Sequence, residues 1–384
     1  MAHSARLVRA SVSAFAIALG CPCAASAGDY FGTVIVQGLH NPRQLAFAPD
    51  GSLYITEAGV ASGSGPSTIV RGETQTFTES GSLTRYVGGT STRVLTGLPS
   101  IYGATSGDVV GPQGIAFGVG GLPAIAIGAG VDLNVRTTDL APVGINLAQL
   151  RTLGGSTDLG AYEYANNPAG GPRDSDPWHV AALPASAWLV TDAGGNSLLR
   201  VDSGGTVSLV ASFASRALGG PFPTEPVPTG IAIGPDGSYY VSELTGFSFV
   251  SGAARIYRIA PGGTPTVFAT GFTMLSDIAF ASDGSLYALE YDSNGLLAAG
   301  DQGALWKVNA DGSRTLVFDG LDHPTGLAIR DGAFYVSDFG NSSSNGEVVL
   351  IAAVPEPETW ALMAVGFAAI AWLRRRVRRP MVDR

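Results

Sequence analysis

A chain of 384 residues, 45% hydrophobic and 14% charged, with 53 glycines and 23 prolines interleaved with β-formers, has the composition of short strands joined by turns. Its formal net charge is −9, but 14 of the 22 basic and 28 of the 31 acidic residues lie between the terminal segments. The body therefore carries −14 with no basic patch, which argues against nucleic acid as a partner and for solubility outside the cell. Both cysteines, Cys21 and Cys23, fall in the N-terminal segment, so the body has no disulfide and its roughly 320 residues must hold by packing alone.

Residues 1–27 read as a secretory signal peptide. Arg6 and Arg9 supply the basic region, Val12–Gly20 the apolar core, and Ala25-Ser26-Ala27 a small-residue site for cleavage after Ala27. A lipoprotein reading, with Cys21 acylated after Ala-Leu-Gly, meets Ala18 where a large aliphatic residue is expected.

From residue 41 a hairpin pattern recurs six times. The copies are Asn41–Glu57, Gly111–Gly128, Asp176–Asp192, Pro228–Glu243, Ser276–Glu290 and His323–Asp338; aligned on Pro42, Pro112, Pro177, Pro228, Ser276 and Pro324, they are spaced by 70, 65, 51, 48 and 48 residues. The fourth is the clearest: Ile231 and Ile233 alternate with small residues, Asp236-Gly237 turns the chain, and Tyr239–Val241 runs back. Asp-Gly between apolar runs predicts a two-residue turn with φ > 0 at both central positions. A period near fifty with several short strands per unit predicts a six-bladed all-β propeller. Segments such as Asn196–Phe213, Ala254–Phe272 and Gly303–Leu321 read as strand, turn, strand, and each finishes a four-stranded blade. The last copy has only one further strand, Gly346–Ala353. Thr33–Phe47 parallels Thr315–Ile329, so the N-terminal strand is expected to complete the sixth blade and close the ring.

Two long insertions separate the early copies. Residues 59–81 are polar and flexible in composition. Residues 129–175 carry Tyr162, Tyr164, Asn166, Asn167, Arg173 and Asp174, side chains suited to sugar or aromatic ligands. Gly118–Gly121 and Gly194-Gly195 read as turns, without the strand–helix context of a phosphate loop.

At the C-terminus Val354-Pro355-Glu356-Pro357 precedes the apolar run Trp360–Leu373. The cluster Arg374-Arg375-Arg376-Val377-Arg378-Arg379 follows. The run is short for a membrane helix, and the arginines would hold the end in the cytoplasm. Pro-Glu-Pro, short helix and arginine cluster in this order resemble the PEP-CTERM sorting signal. That resemblance implies an exosortase and the export machinery as partners, and transient anchoring in the inner membrane of a Gram-negative cell. It further implies release to the cell surface or matrix, in association with exopolysaccharide. The chain thus divides into a signal peptide (1–27), a propeller (28–353) and a sorting segment (354–384).

The body resembles the ScyD/ScyE family through GLHNPRQLAFAPDGSLYITEAG, Asp158–Pro184, Thr191–Asp202 and Val227–Ile259. The hairpins alone also match NHL-repeat and gluconolactonase-like propellers. The family resemblance implies a propeller and export, and an accessory role in a pigment pathway such as that of scytonemin stands as one alternative.

Topology places the repeat starts and ends on one face. His40, His179 and His323 approach it from the starts, with Asn41, Arg43, Gln113 and Trp178. Glu57, Asp192, Glu243, Glu290 and Asp338 approach it from the ends, while Gly128 breaks the series. Five carboxylates and three histidines around a pore could hold Ca²⁺ or another divalent cation, or supply general acid–base groups. Against this, an acid at a strand end caps a turn or binds backbone N–H groups more often than it serves a ligand. No HxxxH, Cys/His cluster or Ser-His-Asp ordering is present. The primary expectation is an exported binding or surface/matrix protein, with an exopolysaccharide or a small molecule as its ligand. The alternative is a metal-dependent lactonase-like hydrolase or a sugar oxidoreductase.

Overall fold

Alternation along each hairpin turns Leu45, Ile55, Ile115, Ile231, Ile278 and Leu327 into cores between neighbouring sheets, where all are buried. The computed structural model describes residues 30–220, 222–300 and 302–354. The signal peptide with its site at Ala27, and the sorting segment from Pro355 with its expected membrane helix, lie outside these residues. No helix among the described residues is long and apolar enough to cross a membrane.

Six sheets form the ring, and their first strands touch in cyclic order. Blade 1 holds Pro42–Phe47, Leu53–Glu57, Glu73–Val87 and Thr90–Gly103; blade 2 holds Pro112–Phe117, Pro123–Ile127, Gln149–Thr152 and Gly155–Asp158. Blades 3, 4 and 5 begin at Pro177, Pro228 and Leu275, each with four consecutive strands. Blade 6 takes Gly326–Arg330, Ala333–Asp338 and Gly346–Ala353, and its outermost strand is Tyr30–Leu39, paired antiparallel from Tyr30↔Ala353 to Leu39↔Gly346. The N-terminus therefore closes the ring as its sequence parallel implied, and blade 6 has no missing strand.

The turns differ from expectation. In blade 4 only Gly237 is left-handed, at φ 75°, and Asp236 accepts a hydrogen bond from the Ser238 N–H at 3.0 Å. The loop there is longer than two residues, so one glycine suffices. Of the Asp-Gly turns among the described residues, only Asp331-Gly332 in blade 6 forms the expected pair, at φ 52° and 77°, because Arg330 and Ala333 pair directly across it.

The insertions are also more ordered than composition implied. Within 59–81, Ser67–Val70 pairs with the start of Glu73–Val87. Within 129–175, Gln149–Asp158 supplies the two outer strands of blade 2, followed by the helix Leu159–Asn166. Asp158 caps that helix, accepting from the Ala161 N–H at 2.8 Å.

Three polar side chains on first strands point into the channel, alternating with glycines: Gln44, Gly114, His179, Gly230, Asp277, Gly326. Gln44 Oε1 accepts from the Ile115 N–H at 2.9 Å, and Asp277 Oδ2 from the Leu327 N–H at 2.8 Å. His179 Nδ1 faces the Ile231 N–H at 3.2 Å and Asp277 Oδ1 at 2.9 Å. A Cβ on Gly114, Gly230 or Gly326 would stand 2.6 Å from the Trp178 carbonyl, the Ile278 nitrogen or the Arg43 carbonyl. Buried hydroxyls tie adjacent blades. Thr56 donates to the Gln113 carbonyl, Thr191 to Thr229, Thr229 to Leu275, Ser276 to Pro324 and Thr325 to Pro42. Only the junction of blades 2 and 3 lacks such a bond among the described residues; Ala126 stands there where blades 1 and 3 have Thr56 and Thr191.

Gly230→Ala should force the blade 4–5 junction apart and cost about 1–3 kcal/mol. Urea unfolding should show a lower midpoint with an unchanged slope; an unchanged midpoint would contradict the close packing described.

Candidate functional site

Short turns make up the lower face of the propeller. The long connections (residues 58–66, 104–108, 129–148, 159–175, 213–227, 244–253 and 291–302) all emerge on the upper face, where the first strands begin. The register brings the strand-end acids to that face: Pro42 pairs with Glu57, Pro177 with Asp192, Pro228 with Glu243 and Leu275 with Glu290.

These acids are bound into the scaffold. Glu57 accepts from the His40 N–H at 2.7 Å, from Thr84 Oγ1 at 2.5 Å and from Arg93 at 2.7 and 3.1 Å. Glu243 pairs with Arg216 and accepts from the Tyr257 hydroxyl at 3.0 Å. Glu290 accepts from the Thr273 N–H, Trp306 Nε1 at 2.8 Å and Arg314 Nη1 at 2.6 Å. Asp338 accepts from the Asp322 N–H at 2.8 Å. Asp192 accepts from Ser175 Oγ and the Asp176 N–H, both at 2.7 Å, and from the Gly195 N–H at 2.9 Å. The five therefore cap and pair rather than present a ring of free carboxylates. Among the described residues no three His, Cys, Asp or Glu side chains converge on one point to hold a metal ion. Burial pushes the Glu243 and Asp338 carboxyls up to about 7; for Glu243 desolvation outweighs the Arg216 charge beside it.

The histidines sit in three different networks. His40 is half-buried, and burial and then Arg93 lower its basicity. His179 lies inside the channel with Asp277, not at the face. His323 is buried, with Nδ1 2.7 Å from Asp322 Oδ1 and 3.1 Å from Asn341 Nδ2, its ring edge-on to Tyr291.

The insertion residues mostly shape the helix. Tyr162 packs on the core between blades 2 and 3. Asn166 Nδ2 donates to the Tyr162 carbonyl, and Asn167, left-handed at φ 38°, donates to the Gly171 carbonyl and ends the helix. Arg173 stacks over Tyr164 at 5.3 Å. Asp174 Oδ2 lies 3.8 Å from Arg71. Beside Asp174 and Asp192 stand two acids that sequence reasoning did not single out, Glu163 and Asp176. Burial is the first cause raising all four, Glu163 and Asp176 to about 7 and Asp174 to about 8, and Asp192 raises each of the other three further.

A second group escaped sequence reasoning. Phe222, Phe247, Leu296 and Leu297 are 71%, 60%, 43% and 68% exposed on upper loops of blades 3 to 5. The loops touch: a Cβ on Gly220 would lie 3.3 Å from Ser248 Oγ, and one on Gly295 2.9 Å from the Phe249 carbonyl. The Phe247 and Phe249 rings meet edge to face at 6.1 Å. A groove of about 360 Å³ lies instead on the lower face between blades 2 and 3, against Leu122, Leu153 and Trp188, remote from these groups.

The profile of the PEP-CTERM protein-sorting motif matches residues 353–376. The chain is thus an exported propeller bearing the signal that an exosortase recognises, sorted in association with the membrane. No protein of curated function is significantly similar to it. Among solved structures it is similar to a gluconolactonase from Xanthomonas campestris, at 12% identity over 86% of this chain and 92% of that one, with a TM-score of 0.51. It is also similar to virginiamycin B lyase from Staphylococcus aureus (15% identity, 83% and 99% covered, TM-score 0.45). A luciferin-regenerating enzyme matches at 10% identity (85% and 96% covered, TM-score 0.48). At these identities the likeness is one of fold alone.

Arg216→Met should leave Glu243 buried without its cation and cost about 3 kcal/mol, with the loss reduced in the double variant Arg216→Met/Glu243→Gln. A chemical-denaturation cycle measures the difference. Glu243 and Asp338 bind a proton more tightly in the folded than in the unfolded chain. Their contribution is therefore complete below the unfolded carboxyl value near about 4 and is lost as pH rises through about 7. In metal-free buffer Glu243→Gln should flatten the decline in melting temperature between about pH 5 and about pH 8; an unchanged profile would refute the assignment.

Proposed function

We propose that this protein is a binding module of the cell surface or extracellular matrix that engages exopolysaccharide through its upper face. The observation that carries this reading is the group of Phe222, Phe247, Leu296 and Leu297, exposed on touching loops with half-buried Phe249 against Phe247, on a face whose five strand-end acids are already bonded. Flat apolar side chains receive the C–H faces of sugar rings, and an exposed apolar cluster of this kind marks an interaction surface. The sorting motif supports an address at which such a ligand is met. The resemblance to the ScyD/ScyE family fits an exported propeller, and a pigment-handling role remains the variant of this reading with an aromatic ligand.

The hydrolase reading has less support, because Glu57, Glu243 and Glu290 are each bonded to an arginine and supply no free base.

Co-sedimentation with purified exopolysaccharide, and retention on a glycan array, test the proposal. The wild-type chain should be retained, and Phe222→Ala/Phe247→Ala should weaken binding about tenfold or more while leaving the melting temperature within about 2 °C. Equal retention of both proteins would reject the surface named here.

A further inference from the structure

Glu163 is a carboxylate of the upper face that is buried, at 0% exposed, without a hydrogen bond to either oxygen. Asp174 Oδ1 is likewise buried and unpartnered. These oxygens close around two glycines. A Cβ on Gly195 would lie 2.9 Å from Glu163 Oε2 and 3.1 Å from Asp192 Oδ2, and one on Gly194 3.0 Å from Asp174 Oδ1. The Gly194-Gly195 pair therefore does more than turn the chain: it leaves a cradle that side chains would fill.

The charge around this cradle is unbalanced. Glu163, Asp174, Asp176 and Asp192 bring four carboxylates. The opposing cations are peripheral: Arg71 is 82% exposed at 3.8 Å from Asp174, Arg173 is exposed over Tyr164, and Arg43 faces Asp176 from the channel mouth. The Arg43 guanidinium donates to the Pro42, Gly340 and Val109 carbonyls. Unpartnered buried oxygens beside a like charge are costly unless a positive charge enters.

We propose that Glu163, Asp174 and Asp192 hold a hard divalent cation, Ca²⁺ by preference, which clamps the insert of blade 2 onto blade 3. All the donors are oxygen, with no imidazole or thiolate among them, which selects a hard ion over zinc or copper. The three side chains do not converge on one point, so binding requires Glu163 and Asp174, whose oxygens are unpartnered, to turn toward the bonded Asp192. The position gives the clamp a purpose. Among the described residues the junction of blades 2 and 3 is the one without a hydroxyl-to-carbonyl bond, and the cation ties the helix Leu159–Asn166 and the Asp174–Asp176 segment to the end of the second strand of blade 3.

Calorimetric titration of the full exported chain in detergent with CaCl₂ at pH 7.5, with thermal melts before and after chelation, tests this. One ion should bind per chain, and free Ca²⁺ at about 100 times its dissociation constant should raise the melting temperature by about 5 °C. Glu163→Gln and Asp174→Asn should each weaken binding at least about tenfold. Without calcium, Glu163→Gln should melt no lower than wild type, because an amide does not repel Asp192. Should one variant fold poorly, the other still reports. Absence of saturable binding by Ca²⁺, Mg²⁺ and Mn²⁺ would overturn the proposal, as would stoichiometric binding that survives both substitutions.

Discussion

The ring depends on how closely six first strands can approach at the channel. Three glycines permit it. Gly114, Gly230 and Gly326 each lie where a Cβ would stand 2.6 Å from the next backbone, and each faces a neighbour bearing His179, Asp277 or Gln44. Large polar and absent side chains alternate, so the centre fills without collision while backbone N–H groups find acceptors on the adjacent blade. Five hydroxyl-to-carbonyl bonds then fasten the junctions. At this level the channel is lined by buried polar side chains bonded from blade to blade.

From that centre the two faces diverge. Hairpin turns close the lower face, while the upper face carries the long connections and the acids at the strand ends. Those acids repeat because each blade meets the same need. The backbone entering the first strand has N–H groups that the ladder leaves unpaired, and a carboxylate one strand away satisfies them in four blades. Arginines from outer strands or loops then compensate three of the buried charges. A repeated acid in a propeller is therefore first an architectural residue, and the departures from the repeat are the better places to look for function.

Blade 2 departs most. It ends its second strand in Ile127 and Gly128 without an acid, lacks the hydroxyl bond to blade 3, and inserts a helix that buries Glu163 against Asp192. Blades 3 to 5 depart differently, through loops that expose phenylalanine and leucine to solvent. The first departure concentrates charge and the second concentrates apolar surface. They lie on the same face of an exported protein.

The sequence by itself determined the repeat period, the six hairpins, the closure by the N-terminal strand and the sorting segment. Each is a local pattern or a likeness between two stretches, and strand periodicity and turn residues act over a few positions. It also identified the strand-end acids and the three histidines, and it weighed capping as their more frequent role. Only the tertiary structure decided what those residues meet. Arg216 lies 27 residues from Glu243, His179 lies 52 from Ile231, and Gln44 lies 71 from Ile115. Glu163 looks like any polar residue of a short helix until the blade packs over it, and Asp331-Gly332 alone keeps the turn that every Asp-Gly implied. Contacts across such separations follow from how whole blades pack, which no local pattern encodes.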